Sequence, residues 1–257
     1  QNYNILMRKI SDIIKTFINF EIKLFLSFFG KIFPDEIINH TGRFSRMSLI
    51  PTLGTCIPFA IITTFHGWKA VELFGSQRFL PGATTLVMFR EVAPVISALI
   101  ITAVVGTAIS SEISLMKLRG EFTYLEVIGV PPMNFVIIPR IFAATLVCTL
   151  IFSCVSITSI GGIYLYLVYG KGLAEGIFNE TWNLVSIRDV IGGLIKSFVF
   201  GFIIGNISSF LGYNSEESSE GVGKASSASV ITNSLIFITV NIFLSYALFG
   251  GFTPELK

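Results

Sequence analysis

Arg90, Glu91 and Lys196 stand in stretches otherwise built from Val, Ile, Phe, Ala and Gly. An unpaired ionised group at the centre of a bilayer costs about 3 kcal/mol or more, so each needs a partner or a wet cavity. Two chemistries satisfy that need. The charges can form structural ion pairs, or snorkel to the interface. Alternatively they line a polar spot in a cavity for an amphiphilic substrate, with Arg90 meeting an anionic headgroup. Arginine suits phosphate because its planar fork donates hydrogen bonds in pairs.

A second group of charges lies in residues 111–132, SEISLMKLRGEFTYLEVIGVPP. The stretch reads as a short surface helix. Leu115, Leu118, Phe122 and Leu125 share one face, while Lys117, Glu121 and Glu126 point elsewhere. Lys117 and Glu121 are four apart and spaced to pair weakly. Gly120 weakens the middle, and Gly129, Pro131 and Pro132 end the helix. Four large apolar side chains on one face call for the membrane or a partner's groove to cover them.

Hydrolytic constellations are missing. Residues 221–226, GVGKAS, glance at a phosphate loop. However, Ser218 stands where its first glycine belongs, Ala225 replaces the Ser or Thr after Lys224, and Glu216, Glu217 and Glu220 would repel a nucleotide. No G-x-S-x-G, H-E-x-x-H or intramembrane aspartate pair is present. Cys56, Cys148 and Cys154 fall in apolar runs without paired spacing and read as small apolar side chains. His40 and His66 are far apart, so no metal site is indicated. The residues call for no cofactor, and another chain must supply the energy for any work.

The elements that position these residues follow from composition. The 257-residue chain is 52% hydrophobic and 13% charged, about half the charge of a soluble domain. A net charge of +2 is too small to indicate nucleic-acid binding. The expected class is an all-α polytopic membrane protein. A crossing takes about 20 apolar residues, which places five spans at 48–74, 84–110, 134–168, 190–212 and 230–250. The third is too long for one perpendicular crossing, so it tilts or extends beyond the bilayer.

Basic residues orient the chain. With the N-terminus cytoplasmic, that side receives Arg8, Lys9, Lys15, Lys23, Lys31, Arg43, Arg46, Lys117, Arg119, Arg140 and Lys224. The far side receives only Lys69, Arg78, Lys171, Arg188 and Lys257. The bias favours N-in, C-out.

Residues 1–40 are assigned to an interfacial amphipathic helix. Ile10, Ile13, Ile14, Phe17, Leu24, Phe25 and Phe28 recur at helical spacing, with Lys9, Lys15, Lys23 and Lys31 interleaved. Such a helix lies in the headgroup region, apolar face down and lysines toward anionic lipid. A sixth span is the competing reading, opposed by Asp12, Lys15, Glu21 and Lys23 at mid-bilayer. No small-residue cleavage site follows the apolar stretch to mark a signal peptide. Farther on, Gly193, Ser197, Gly201, Gly205 and Ser209 recur at every fourth position, and Gly106, Ser110 and Ser114 repeat the device in the second span. Rows of small residues let helix backbones approach closely, within one bundle or across a dimer seam.

Together these residues carry a family resemblance. REVAPVISALI from Arg90, then SEISLMK, LEVIGVPP and PRI, resembles the signature region of the MlaE/YrbE family of ABC transporter permeases. Residues 212–230, GYNSEESSEGVGKASSASV, are similar to that family's second signature, a Gly-rich cytoplasmic turn before the last span. The resemblance runs in order over about residues 43–250. It implies that residues 41–257 form a five-span permease domain with a cytoplasmic coupling helix at about 115–129. It further implies a homodimer with ABC ATPase subunits that bind the ATP, an MCE-domain protein beyond the membrane, and phospholipid as substrate. The location would be a bacterial inner membrane, or alternatively a plastid inner envelope.

By the same resemblance Arg90 and Glu91 fall on an Arg-Glu pair at the lipid cavity, and Val71 and Phe74 on pocket-lining apolar positions. Glu112 and Glu126 match the glutamates that bracket the coupling helix, and Lys117, Leu118, Glu121 and Phe122 lie between them. This chain departs from the pattern in several places. Ala103 and Val104 stand where the family has Gly-Arg, Ser114 where it has Gly, and Gly120 and Glu121 where it has Glu-Gln. The charge network at the inner end of the second span is therefore rewired. From another functional class, the rival is a membrane scaffold that anchors a peripheral complex without transport of its own. An intramembrane enzyme would need a nucleophile–base pair that the sequence lacks.

Overall fold

A computed structural model of the chain describes residues 2–31, 33–73 and 75–250. Phe74 and Lys257 lie outside the described residues, as do the side chains of Arg8, Lys9, Ile10 and Ile13. Among the described residues there are helices and turns and no strand. Five helices are long and apolar enough to cross a bilayer: Pro34–Glu72, Gln77–Leu118, Met133–Gly170, Ile187–Tyr213 and Ser219–Phe249. They coincide with the five expected spans, and the chain is an all-α polytopic membrane protein. The first three, at 39, 42 and 38 residues, would be roughly 60 Å long if straight. That is about twice the 30 Å hydrocarbon layer, so they tilt or project from it.

Local chemistry sets where these helices begin and how they bend. Pro34 opens the first span at a position where its missing N–H costs nothing, with Asp35 and Glu36 in the positive first turn. Pro51 and Pro58 lie inside it. The second span contains two wide π-turns, Met88–Val92 and Thr102–Gly106, and the third contains two more, Met133–Ile137 and Leu165–Gly170. Ser186 caps the fourth span, and Ser218 caps the fifth by accepting from the Gly221 N–H at 3.0 Å. The GVGKAS segment is therefore part of a helix, with Lys224 paired to Glu220 at 3.0 Å.

The third span is the most enclosed and packs along the first and the fourth. The small-residue row on the fourth span makes this closeness possible. A Cβ on Gly201 would lie 2.7 Å from Thr145 Cα, and one on Gly205 would lie 2.9 Å from Ile141 Cα. The row is thus used inside one chain, backbone against backbone. The fifth span is the least enclosed; it turns Ile231, Leu235, Ile242 and Phe243 outward, as a lipid-facing helix does.

Two expectations change. The first helix, Asn2–Phe28, does not keep its apolar residues for lipid alone. Phe17 and Phe20 meet Phe210 edge-on at 5.0 and 5.5 Å, Phe28 meets Phe142, and Phe20 and Leu24 are buried. Ile14, Ile18, Ile22, Phe25 and Phe29 remain exposed. The helix is apolar on two sides, one docked on the bundle. It ends well before residue 40, because the next helix starts at Pro34.

The second change concerns the 115–129 segment, which is not one helix. The second span continues through Leu118, Gly120 turns left-handed at φ 71°, and a separate helix runs Glu121–Val127. The turn at Gly120 rotates this short helix relative to the span, so Leu115, Leu118, Phe122 and Leu125 do not form a common outward face. Phe122 is buried, its ring edge-on to Tyr213 at 5.4 Å. Tyr124, Val127 and Ile128 face outward instead.

Candidate functional site

Arg90 and Glu91 lie on the π-turn Met88–Val92, which widens the second span where Pro94 follows. Proline has no N–H to give the carbonyl four residues back. That carbonyl is Arg90's, and Lys196 Nζ donates to it at 2.8 Å. Gly193 lets the fourth span come close enough, since a Cβ there would sit 2.6 Å from the Phe89 carbonyl oxygen.

Lys196 is fully buried and fully used. Besides the Arg90 carbonyl it donates to Glu91 Oε1 at 2.8 Å and to Ser245 Oγ at 2.6 Å. Glu91 Oε2 accepts from Asn241 Nδ2 and from Ser245 Oγ, both at 3.0 Å. The fifth span thus closes the network with two polar side chains one turn apart. Arg90 donates through Nε to Asp189 Oδ1 at 2.6 Å. Asp189 Oδ2 accepts from the Ser186 N–H at 2.8 Å and Ser186 Oγ at 2.9 Å. One carboxylate therefore caps the fourth span and aims an arginine.

Two cations, Arg90 and Lys196, face two anions, Glu91 and Asp189, so the cluster is neutral. The ion-pair chemistry expected of Lys196 is present. Arg90 differs from Lys196 in one respect. Its side chain keeps 26% exposure, and its two terminal nitrogens make no hydrogen bond to protein among the described residues. Its guanidinium carbon lies 4.9 Å from the Phe249 ring centre, and Lys196 Nζ lies 5.2 Å from the same ring. Val71 is half-buried in a separate apolar cluster with Trp68, Leu80 and Met88, alongside Val92. It neighbours the residues that flank Arg90 and Glu91 in the chain. Phe74 lies outside the described residues.

A second polar cluster occupies the opposite end of the bundle. Glu112 Oε2 accepts from Arg43 Nη2 at 2.8 Å and lies 3.5 Å from Arg140 Nη2. Arg140 is buried and donates through Nη1 to the Val136 carbonyl at 2.8 Å. One carboxylate on the second span thus holds arginines of the first and third. Further along the same helix Lys117 donates to the Ser215 carbonyl at 2.8 Å, joining the second span to the turn before the fifth. The expected Lys117–Glu121 pair is absent, because Gly120 breaks the helix between them. Glu121 lies 3.8 Å from Arg119 instead. Leu118 is half-buried and Glu126 exposed.

Sequence reasoning brought together Arg90, Glu91 and Lys196 but passed over their partners. Asp189 was signalled by S-x-x-D, the capping-box spacing, at Ser186. Asn241 and Ser245 resume, after Phe237, a polar row at every fourth position begun by Ser229 and Asn233. Arg43 as the partner of Glu112 had no local signal, since 69 residues separate them. Among the described residues no group of His, Cys, Asp or Glu could hold a metal ion.

Comparison with known proteins bears on what this arrangement is for. Residues 37–247 match the family model described as Permease MlaE. A probable ABC transporter permease protein of Rickettsia typhi is 28% identical over 202 residues, covering 75% of this chain and 78% of that protein. The intermembrane phospholipid transport system permease protein MlaE of Haemophilus influenzae is 29% identical over 206 residues, 79% of each chain. The protein TRIGALACTOSYLDIACYLGLYCEROL 1, chloroplastic, of Arabidopsis thaliana is 27% identical over 215 residues, 80% of this chain and 60% of that one.

Proposed function

The chain belongs to the MlaE permease family and is a transporter permease subunit; we propose that it moves phospholipid across or out of a bacterial inner membrane as half of a homodimer. The observation that carries the substrate assignment is the state of Arg90. Asp189 holds it by one nitrogen and leaves the other two unpaired among the described residues. Paired donors at the end of a planar fork match the oxygens of a phosphodiester. Glu91 and Lys196 cancel each other beside it and keep that part of the bundle from attracting ions of its own. The phospholipid named in the Haemophilus relative supports the same substrate class.

The N-terminus and the helix Glu121–Val127 are assigned to the cytoplasm, which the distribution of Lys and Arg favours. Arg90 then lies in the outer half of the membrane, near where an MCE-domain protein would receive or deliver the lipid. ATP is bound and hydrolysed by separate ATPase subunits. Their closure pushes on the helix Glu121–Val127, and the push reaches the spans by two routes. One is the second span through Glu112, with its arginines on the first and third. The other is Lys117 and the turn that leads to the fifth. The departures at Val104, Ser114 and Gly120 lie along this route.

Replacing Arg90 with Glu tests the substrate assignment. Phospholipid that co-purifies with the reconstituted complex should fall several-fold while the complex stays assembled. Unchanged lipid content would remove Arg90 from the binding site.

A further inference from the structure

We propose that Glu21 is protonated when the first helix is docked, and that this single proton joins the helix to the fourth span through a two-bond ring with the Asn206 side chain. Asn206 Nδ2 donates to Glu21 Oε2 at 3.2 Å. The other two oxygens of the pair, Glu21 Oε1 and Asn206 Oδ1, are both enclosed, and neither has a donor. An ionised carboxylate offers only acceptors, so with Glu21 charged both oxygens stay orphaned in the same seam. A proton on Oε1 that donates to Asn206 Oδ1 satisfies both at once. Exchanging the amide nitrogen and oxygen does not remove the need, because one oxygen would still face another.

The setting favours the neutral acid. Phe20 and Leu24, on either side of Glu21 in the chain, are buried at 3% and 2% exposure. Phe17 and Phe20 pack on Phe210, and Phe20 on Tyr213. Burial pushes the Glu21 carboxyl above the usual carboxylate range, partly opposed by the Asn206 hydrogen bond. Among the described side chains of its own helix the other charged groups, Asp12, Lys15 and Lys23, are exposed. On the fourth span the nearby titratable group is Tyr213, whose ring lies between Phe20, tilted against it, and Phe122, edge-on to it. The start of the third span, Met133–Ile137, carries none. No ion pair reaches Glu21 among the described residues, so nothing compensates a charge there.

Proton linkage sets the sign of the effect. The docked helix holds the proton more tightly than the free helix. The proton's contribution to docking is therefore fully present at pH below the free carboxyl's range, and it is lost as pH rises through the docked value. The first helix is a proton-operated latch at the opposite end of the fourth span from Asp189, and its action does not require Arg90 to bind lipid.

The test uses the full chain in phosphatidylcholine nanodiscs. In wild type the infrared carbonyl band of a protonated carboxyl should persist to a higher pH than it does for a free glutamate, and Glu21→Gln should remove it. Gln supplies the missing donor permanently. In E21Q, amide protection of residues 14–28, corrected for intrinsic exchange, should stay constant where wild type's falls as pH rises through the docked value. An infrared band unchanged in E21Q overturns the proposal, as does a variant whose protection falls with pH as wild type's does. Wild type decides the point by itself as well: a helix equally protected from acid to alkaline pH carries no such latch.

Discussion

Lys196 shows how much one side chain can be asked to satisfy. It fills the carbonyl that Pro94 leaves open and neutralises Glu91; Met of similar shape offers no donor, and Arg spreads its donors over a larger planar fork. Lys196→Met should strand Glu91 beside an unfilled carbonyl; breaking a fully buried pair costs about 3–5 kcal/mol, and the loss here should be smaller because the Glu91 side chain keeps 37% exposure. Adding Glu91→Gln should recover most of that loss, because the charge without a partner is then gone. Thermal unfolding in detergent, measured for both single variants and the double, gives the coupling directly. If the double variant is no more stable than Lys196→Met, the pair is not what holds the second and fourth spans together. The pair itself was legible in the sequence because charges are rare in apolar runs. Asp189 was less so: at the mouth of a span an aspartate looks like ordinary loop polarity until its oxygens are seen to serve both Ser186 and Arg90.

Among the elements, the spans were the easiest to read, since twenty apolar residues have few alternatives in water or lipid. Their contacts were harder. The glycine row on the fourth span announced a close neighbour without naming it, and the neighbour is the third span at Ala144, Thr145 and Ile141. Gly201→Ala should therefore cost about 1–3 kcal/mol, because it meets Thr145 Cα, the Ala144 carbonyl oxygen and Cys148 Cβ, none of which can swing aside without moving backbone. Gly223→Ala is the control: nothing lies within 4 Å of its added carbon, and in a helix the change should be neutral or stabilise by up to about 1 kcal/mol. Equal melting temperatures for the two variants would contradict this packing. The 115–129 segment was misread for a definite reason. Helical periodicity assumes that φ repeats, and one left-handed glycine at position 120 reset the phase, turning Phe122 inward and Val127 outward.

For the whole molecule, what matters is how two polar clusters at opposite ends are connected by apolar helix. The second span carries both Glu91 and Glu112, so one helix links the two clusters. A partner that pushes on Tyr124, Val127 and Ile128 therefore acts on the span that also presents Arg90. Val127→Asp should abolish ATP-driven lipid transfer in the reconstituted complex while changing the permease's own stability by less than about 0.5 kcal/mol, as exposed substitutions do. Normal transfer by this variant would place the contact elsewhere. Phe122→Asp is the less informative change, since it would disturb the ring packing on Tyr213 as well.

The fifth span turns its polar residues inward and its large apolar residues out, and this bears on how the protein is made. A chain is synthesised from its N-terminus, so the second and fourth spans are already present when Ser229, Asn233, Asn241 and Ser245 emerge. Gly106, Ser208, Glu91 and Lys196 await them there. Until that moment Glu91 lacks two of its three donors. A chain stopped short of residue 241 would leave Glu91 with Lys196 as its one donor of the three, so the carboxylate is fully hydrogen-bonded only when the last span is in place.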